Sequence, residues 1–164
     1  MKQSLSRRAA WLALLLPLTG TAPADGARLP PVQHALWQQE CGSCHLAYHP
    51  GLLPATSWNA VMDGLGRHFG TDASLGADEE AAIRRFLVGH AGAGKQGRVV
   101  NGKDGQPLQR ISQMPWFLHE HTEELPASVW KRKDVGSASN CAACHANAAK
   151  GSFSEREIRV PGGQ

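Results

Sequence analysis

The sequence predicts a small, mainly α-helical fold with many loops and one short β-hairpin. Apolar residues recur at helical spacing, and 18 glycines and 10 prolines separate these stretches by turns. A five-residue unit with two cysteines and a histidine occurs twice, at 41–45 and at 141–145. A chain of 164 residues with so many turns is poorly placed to build a large core from side chains alone.

The N-terminus has the pattern of a secretory signal peptide. A basic start is followed by an apolar run over residues 9–18 and by a small-x-small cleavage pattern at Ala22–Ala24. The run is shorter than the ~20 residues that a spanning helix needs, and no later segment approaches that length. We therefore predict a signal peptide over residues 1–24 and one domain over residues 25–164, without a membrane span, that is exported and periplasmic.

The net positive charge belongs to this leader. The chain has 17 basic and 14 acidic residues, and three of the basic ones, Lys2, Arg7 and Arg8, lie before residue 25, which leaves 14 of each sign. A formally neutral domain gives no support for nucleic-acid binding. The short basic run at residues 131–133 is interpreted either as a solvated surface or as a docking patch for an acidic partner.

Two helices are predicted around the first five-residue unit. Residues 32–47 have apolar side chains at helical spacing before the unit. After a turn at Pro50–Pro54, residues 55–69 give a clear helical stripe, formed by Trp58, Val61, Met62, Leu65 and Phe69.

A third helix and a hairpin are predicted next. Residues 83–88 are the apolar part of the helix, with Ser74 or Asp78 as its N-cap and the glycines after residue 88 as its end. Residues 97–112 have two short β-prone runs on either side of Asn-Gly-Lys-Asp-Gly, which predicts a small hairpin.

The last third is predicted to consist of short helices and turns. Residues 113–124 are predicted to form a short helix, and Pro126–Lys133 a turn or another helix. Asn140 is the predicted start of the helix that carries the second unit. The tail after Lys150 is expected to be loose.

All four cysteines lie in two CxxCH motifs, formed by Cys41, Cys44 and His45 and by Cys141, Cys144 and His145. Two thiols at this spacing can add to the two vinyl groups of one porphyrin, and the following histidine then brings an imidazole to the iron. This is the pattern of c-type haem attachment. We therefore predict two covalently bound haem c groups, which would also supply apolar mass to the core.

Other uses of the cysteines explain the pattern less well. Four cysteines in an exported protein can form two disulfides, and two CxxC pairs can bind zinc. The pairs are separated by 96 residues, far more than in a compact zinc loop. Neither zinc, disulfides nor a thioredoxin-type redox site gives a reason for a histidine after both pairs.

The second axial ligand decides the chemistry of each iron. A second His or a Met closes the iron for electron transfer, whereas an open position lets a gas or peroxide bind. The candidates in residues 25–164 are His34, His49, His68, His90, His119, His121, Met62 and Met114.

Three of the candidate axial ligands are Met62, Met114 and His68, and they lie within or next to predicted helices. Met62 lies within the apolar stripe and is predicted to pack in the core, and Met114 is possible as a ligand but not favoured. His68 lies at the edge of the same stripe, where it would face a haem packed on that helix. The alternative is a surface histidine at the end of a helix.

The positions of the remaining histidines in the sequence decide how well each could serve as an axial ligand. His119 and His121 point about 160° apart on a helix, so at most one of them serves a given haem. His49 follows the first motif too closely to swing easily to the opposite haem face. His34 and His90 are expected to face solvent, although His34 could reach a haem from the first helix.

The chain resembles the dihaem cytochrome c family, often called DHC. The resemblance covers roughly residues 36–160, and the joint order of its motifs is much more specific than CxxCH alone. It is carried by the stretches Glu40–Tyr48, Gly51–Pro54 with Trp58, Leu65 with His68–Gly70, Arg110-Ile111 with Pro115–Phe117, Glu120-His121, Val129–Lys131 and Ser139–His145.

The resemblance implies two haems with two histidine ligands each, and electron transfer as the function. It favours His68 and His121 as the second ligands, because Glu120-His121 matches the family pattern and His119 does not. It also implies as partners a membrane b-type cytochrome and a small oxygen-binding monohaem cytochrome, the sphaeroides haem protein. The aromatic residues near the motifs are expected to pack on the porphyrins: Trp37, Tyr48, Trp116 and Trp130.

The expected function is therefore that of a periplasmic electron carrier rather than an enzyme. It would act as a monomer between a membrane cytochrome b or quinol pool and a soluble haem protein. The competing interpretation is a haem enzyme, such as a peroxidase, or a gas sensor with one open haem, in which one of His119 and His121 is a distal acid–base group.

Overall fold

A computed structural model of the chain describes residues 28–162, so the predicted signal peptide, residues 1–24, lies outside the described residues. Its α-helices are α1 (Ala35–Gly42), α2 (Ala55–Asp63), α3 (Ala77–Gly89) and α4 (Pro115–Thr122). Short 3-10 turns join them and form the C-terminal part, at Pro50–Leu52, Leu65–Arg67, Ile111–Gln113, Val129–Lys131, Cys141–Ala143, Ala148–Lys150 and Glu155–Glu157. The predicted mainly α fold class is confirmed.

The hydrophobic core lies between α1, α2 and α3. Trp37, Trp58, Met62, Ile83 and Leu87 are all buried in it. Burying one such side chain is worth about 1.5–3 kcal/mol. Met62 therefore packs in the core, as its place in the apolar stripe predicts.

The core continues to the start of α4. Met114 is fully buried and precedes Pro115, which occupies the first position of the helix, where its missing N–H costs no hydrogen bond. Phe117 is buried one turn later. The side of α4 that carries Phe117 thus packs on the rest of the molecule.

Helix α1 is shorter than the predicted helix over residues 32–47. It begins at Ala35 because the Nδ1 atom of His34 accepts a hydrogen bond from the backbone N–H of Trp37, at 3.1 Å. It ends at Gly42, so only the first cysteine of the first motif is helical. The rest of that motif lies in the turn beyond the helix.

Helix α3 begins at Ala77, and its N-cap is Gly76 rather than Ser74 or Asp78. The carboxylate of Glu79 accepts the backbone N–H of Gly76 at 3.2 Å, and acidic residues in the first turn favour the positive end of the helix dipole. The N–H of Ser74 is already bound to Asp72 in the preceding turn, at 2.9 Å.

Helix α2 ends at Asp63, so the predicted helix over residues 55–69 is too long. Glycines at 64, 66 and 70 have low helix propensity, and the chain changes to a 3-10 turn at Leu65–Arg67. A tight turn follows, in which Phe69 has φ 51° and Gly70 has φ 100°. This break takes His68 off the face of α2.

The hairpin predicted over residues 97–112 is not confirmed. Within residues 28–162 this segment has one isolated antiparallel bridge, between Asn101 and Pro107. This bridge is flanked by two backbone hydrogen bonds of 2.8 Å, from the N–H of Gly102 to Gln106 and from the N–H of Leu108 to Val100, and the pairing does not extend into named strands. The tip is closed instead by the Asp104 carboxylate, which accepts the backbone N–H of Gln106 at 3.1 Å.

The second motif lies in a single 3-10 turn that begins after Asn140, instead of a regular helix. Only Cys144 and Ala148 bury apolar surface here, which is too little to support a longer helix. The following tail is packed rather than loose. Ser152 is buried and bridges to Arg28, and the N–H of Arg159 donates to the carbonyl of Cys144 at 2.9 Å.

Candidate haem-binding sites

The first motif lies at the end of α1. Cys41 is half-buried in the last helical turn, and Cys44 and His45 are exposed beyond it. The Nδ1–H of His45 donates to the carbonyl of Leu46 at 2.8 Å. A backbone acceptor at one ring nitrogen is typical of metal-binding histidines, since it leaves Nε2 free for the metal.

His68 faces the ring of His45. The two ring centroids are 6.2 Å apart and the planes differ by 25°. Tyr48 stacks on His45 with centroids at 4.8 Å and planes at 23°. Burial and the nearby positive groups of His45 and Arg110 lower the pKa of His68, which favours the neutral form that binds metals.

The second motif is held in a closed turn. The backbone N–H of His145 donates to the carbonyl of Cys141 at 2.8 Å, so the two ends of the motif lie on one turn. Cys141 is half-buried and Cys144 is buried. The tail adds a bridge between His145 and Ile158.

His121 faces His145 from helix α4. Their ring centroids are 6.1 Å apart and their planes differ by 71°. The Nδ1–H of His121 donates to the carbonyl of Phe117 at 2.8 Å, and the two rings stack at 3.9 Å. Trp130 lies on the same ring at 5.9 Å. The orientation of His121 is therefore set by α4 and its aromatic neighbours.

Both histidine pairs have the separation that one iron requires. An imidazole nitrogen lies about 2.0–2.1 Å from a bound metal and ~1.15 Å from its own ring centre, so two imidazoles on opposite sides of one metal have centroids about 6.3–6.5 Å apart. The pairs His45–His68 and His121–His145 lie at 6.2 Å and 6.1 Å. The residues present thus fit two six-coordinate haems.

His49 and His34 are placed and hydrogen-bonded in ways that do not suit an axial ligand. His49 is buried, its Nε2–H donates to the carbonyl of Pro30 at 2.8 Å, and its Nδ1 accepts the N–H of Gly51 at 2.9 Å. Both ring nitrogens are thus occupied. His34 caps α1 and lies on the ring of Phe86.

His119 and His90 are also directed elsewhere. His119 is an exposed residue whose Nδ1 lies 3.1 Å from the carboxylate of Glu123. The ring of His90 lies against the ring of Phe86, with centroids 4.8 Å apart, rather than against a CxxCH histidine. Only His121 of the neighbouring pair is therefore brought to a CxxCH histidine.

The thiols of Cys41 and Cys141 are not activated for redox chemistry. Burial raises the pKa of Cys41 and of Cys141 to about 11 each. A reactive CxxC site needs a lowered pKa instead, because the thiolate is the nucleophile. All four cysteines are also unpaired. The thioredoxin-type and disulfide interpretations therefore find no support in this geometry.

Comparisons with known proteins agree with the two motifs. Residues 37–153 match the family model for dihaem cytochrome c. The chain belongs to the dihaem cytochrome c family. It therefore carries two covalently attached haem c groups with their iron, and its four cysteines match the number that two such groups need. No curated protein matches the sequence.

Solved structures of dihaem cytochromes c resemble the chain over most of its length. The diheme cytochrome c from Rhodobacter sphaeroides is 40% identical with a TM-score of 0.66, and the match covers 77% of this chain and 100% of that one. The diheme cytochrome c from Shewanella baltica OS155 is 38% identical with a TM-score of 0.65, and the match covers 78% and 93%. This membership supports a haem c electron-transfer protein.

Buried polar atoms without a hydrogen-bond partner occur on α4 and in the second motif. The indole N–H of Trp116 and the Nδ1 of His145 are buried without a hydrogen-bond partner in residues 28–162. Unpartnered buried donors are costly, at about 1–3 kcal/mol each. A propionate oxygen of a bound haem would give the indole N–H of Trp116 an acceptor.

Two contacts at these sites were not predicted from the sequence. The guanidinium of Arg110 lies 4.0 Å above the ring of Phe69, next to His68. The hydroxyl of Tyr48 donates to the carbonyl of Ser139 at 2.7 Å, across the molecule. Both join residues far apart in the chain, and spacing along the sequence carries no signal for such pairs.

Proposed function

We propose that this chain is a periplasmic dihaem electron carrier. It would accept electrons from a membrane b-type cytochrome or the quinol pool and pass them to a small, soluble, oxygen-binding monohaem cytochrome, the sphaeroides haem protein of the resemblance. The observation that carries the proposal is the spacing of the two histidine pairs, which suits two axial imidazoles on each iron and would leave neither iron an open position.

The proposed ligand sets follow the two pairs. The first haem would be attached through Cys41 and Cys44, with His45 and His68 as axial ligands. The second would be attached through Cys141 and Cys144, with His145 and His121 as axial ligands. In each pair one histidine comes from a CxxCH motif, and the other is presented by a separate turn or helix.

A bound haem supplies a one-electron couple of its iron. The protein's residues determine how readily that couple is used. Two imidazoles per iron give a lower reduction potential than a His/Met pair, since a thioether raises the potential. The rings of Phe117 and Trp130 pack on His121 and limit access of water to that side.

The proposed location and partners rest on the leader pattern at residues 1–24 and on the family resemblance. Haem attachment to CxxCH takes place outside the cytoplasm, which agrees with export. Within residues 28–162 no helix is both long and apolar enough to cross a bilayer. The basic run at residues 131–133 follows Trp130 directly, so an acidic partner docked there would lie close to the second haem.

The competing haem enzyme or gas sensor is not favoured. It needs an open iron with a free acid–base group nearby, and one of His119 and His121 was the candidate for that group. His119 is exposed and lies against Glu123, whereas His121 faces His145.

A stopped-flow experiment tests the carrier function. The fully reduced holoprotein is mixed with an oxidised small oxygen-binding monohaem cytochrome, and both haem spectra are followed. We expect fast second-order oxidation of both haems, and no saturable turnover when hydrogen peroxide replaces the cytochrome. A protein that keeps its electrons in the first mixture but consumes peroxide in the second would be an enzyme, and the proposal would be wrong.

A further inference from the structure

Tyr48 is the single tyrosine of the chain and contacts both halves of the site. Its ring is half-buried and stacks on His45, with centroids 4.8 Å apart and planes at 23°. Its hydroxyl donates to the carbonyl oxygen of Ser139 at 2.7 Å. The two partners are 94 positions apart in the chain, so this side chain joins the first motif to the second.

The acceptor of this hydrogen bond also belongs to the second motif. The thiol of Cys141 lies 3.8 Å from the same carbonyl of Ser139. Tyr48 and Cys141 therefore share one oxygen atom. A continuous set of contacts runs from the imidazole of His45 through the ring and hydroxyl of Tyr48 to the sulfur of Cys141.

We propose that Tyr48 is the residue that couples the two haems for internal electron transfer. The inference rests on the proposed ligand sets, in which His45 binds one iron and Cys141 is a thioether of the other haem. Tyr48 also holds the two attachment turns at a defined separation, because its hydrogen bond and its stacking contact act at opposite ends of one rigid ring.

The coupling needs no chemistry at Tyr48 itself. One electron leaves the reduced iron of one haem and arrives at the oxidised iron of the other. No bond forms or breaks, and the phenol keeps its proton. Electronic coupling falls more steeply across empty space than through bonded or hydrogen-bonded atoms, so we expect the path through Tyr48 to speed transfer between the haems.

Two variants separate the hydrogen bond from the ring. Tyr48→Phe keeps the stacking on His45 and removes the contact with Ser139, whereas Tyr48→Leu removes both. Each holoprotein receives a one-electron pulse, and relaxation between its two haems is timed. We expect several-fold slower relaxation in Tyr48→Phe and a larger decrease in Tyr48→Leu, with both haems still low-spin and the haem content unchanged.

Phe153→Leu is the matched control. Phe153 lies on His145 with centroids 5.3 Å apart, so it is an aromatic neighbour of a CxxCH histidine without a contact to the first motif. We expect the wild-type relaxation rate in this variant. An equal decrease in the control and in Tyr48→Phe would overturn the inference, because any aromatic neighbour would then have the same effect.

The same samples separate this inference from the proposed function. If the wild-type protein has two low-spin haems but Tyr48→Phe relaxes at the wild-type rate, the coupling role is wrong and the carrier proposal stands. If a wild-type haem is high-spin and binds carbon monoxide, the ligand sets are wrong, and both the proposed function and this inference fail.

Discussion

The two proposed second axial ligands, His68 and His121, are positioned by different kinds of local structure. His68 follows a 3-10 turn and precedes Phe69, whose φ of 51° is strained for a bulky residue, and the cation of Arg110 covers the Phe69 ring. His121 is oriented by a helix, through its hydrogen bond to the carbonyl of Phe117. The ring of His121 is thus held by a hydrogen bond within its helix, whereas the position of His68 is set by the backbone turn around it.

Single histidine substitutions test these assignments. His68→Ala and His121→Ala each remove one axial imidazole, so each should convert one of the two haems to a high-spin form that binds carbon monoxide. The change is measured by the optical spectrum of the purified holoprotein.

His119→Ala is the matched control for His121→Ala. His119 is on the same helix but is exposed and lies against Glu123. Both haems should remain low-spin in this variant. A high-spin haem in His119→Ala, or a fully low-spin His121→Ala, would assign the ligand to the wrong histidine.

For individual residues, the sequence predicted both CxxCH motifs and left only a few candidates for the second axial ligand of each iron. Spacing left both His119 and His121 open, and family likeness favoured His121. The structure separates them, because the ring of one meets a carboxylate and the ring of the other meets His145. Sequence spacing contains no information on such contacts between elements.

Among the elements, short turns are tied together by side chains instead of by long helices or sheets. His49 is the clearest case, since its ring joins Pro30 to Gly51. Gly151 packs beside this ring with φ 74°, and a Cβ atom there would lie 3.3 Å from both His49 and the carbonyl of Leu29. One buried histidine thus connects the N-terminal segment, the turn after the first motif and the tail.

The two hydrogen bonds of the His49 ring should make the free energy of unfolding depend on pH. Burial lowers the pKa of His49 below its ordinary value of 6.5, because the charged imidazolium loses its hydration in the interior. Protonation would also turn Nδ1 from an acceptor into a donor facing the N–H of Gly51. The folded-state pKa lies below the unfolded one, so this stabilisation is fully present above pH 6.5 and is lost as the pH falls below it.

Denaturant unfolding of the holoprotein between pH 7.5 and pH 5 measures this effect. The wild type should lose stability toward low pH, and His49→Gln should lose less over the same range. At neutral pH the variant should be less stable by about 1–3 kcal/mol, since buried hydrogen bonds are lost or distorted. Parallel pH curves for the two proteins would show that His49 does not titrate on unfolding.

The element predictions were most accurate where an apolar stripe is long. The third and fourth helices were predicted near their observed positions. The second was too long because glycines end it, and the hairpin was not confirmed, since its segment has a single isolated bridge. The tail looked loose by composition, but its backbone bonds to the second motif hold it in place.

The molecule as a whole has its two histidine pairs in separate parts of the chain. His45 and His68 are 23 positions apart, and His121 and His145 are 24 positions apart. In the first pair the CxxCH histidine precedes its partner, and in the second it follows. Neither pair crosses between the two motifs, and the sequence alone did not settle this point.

Between these two pairs lies a core of modest size, formed mainly by α1, α2 and α3. Helix α4 and the C-terminal turns bury fewer side chains. This agrees with the expectation that the haems complete the interior. The link from Tyr48 to Ser139 spans the two parts and gives them a direct contact.

The central claim is that both irons are closed by histidine. The most direct test is the optical spectrum of the fully reduced wild-type holoprotein before and after carbon monoxide is added. The account predicts two low-spin haems whose spectrum does not change. A high-spin component that binds carbon monoxide would contradict it, and would show that at least one of the two histidine pairs does not close its iron.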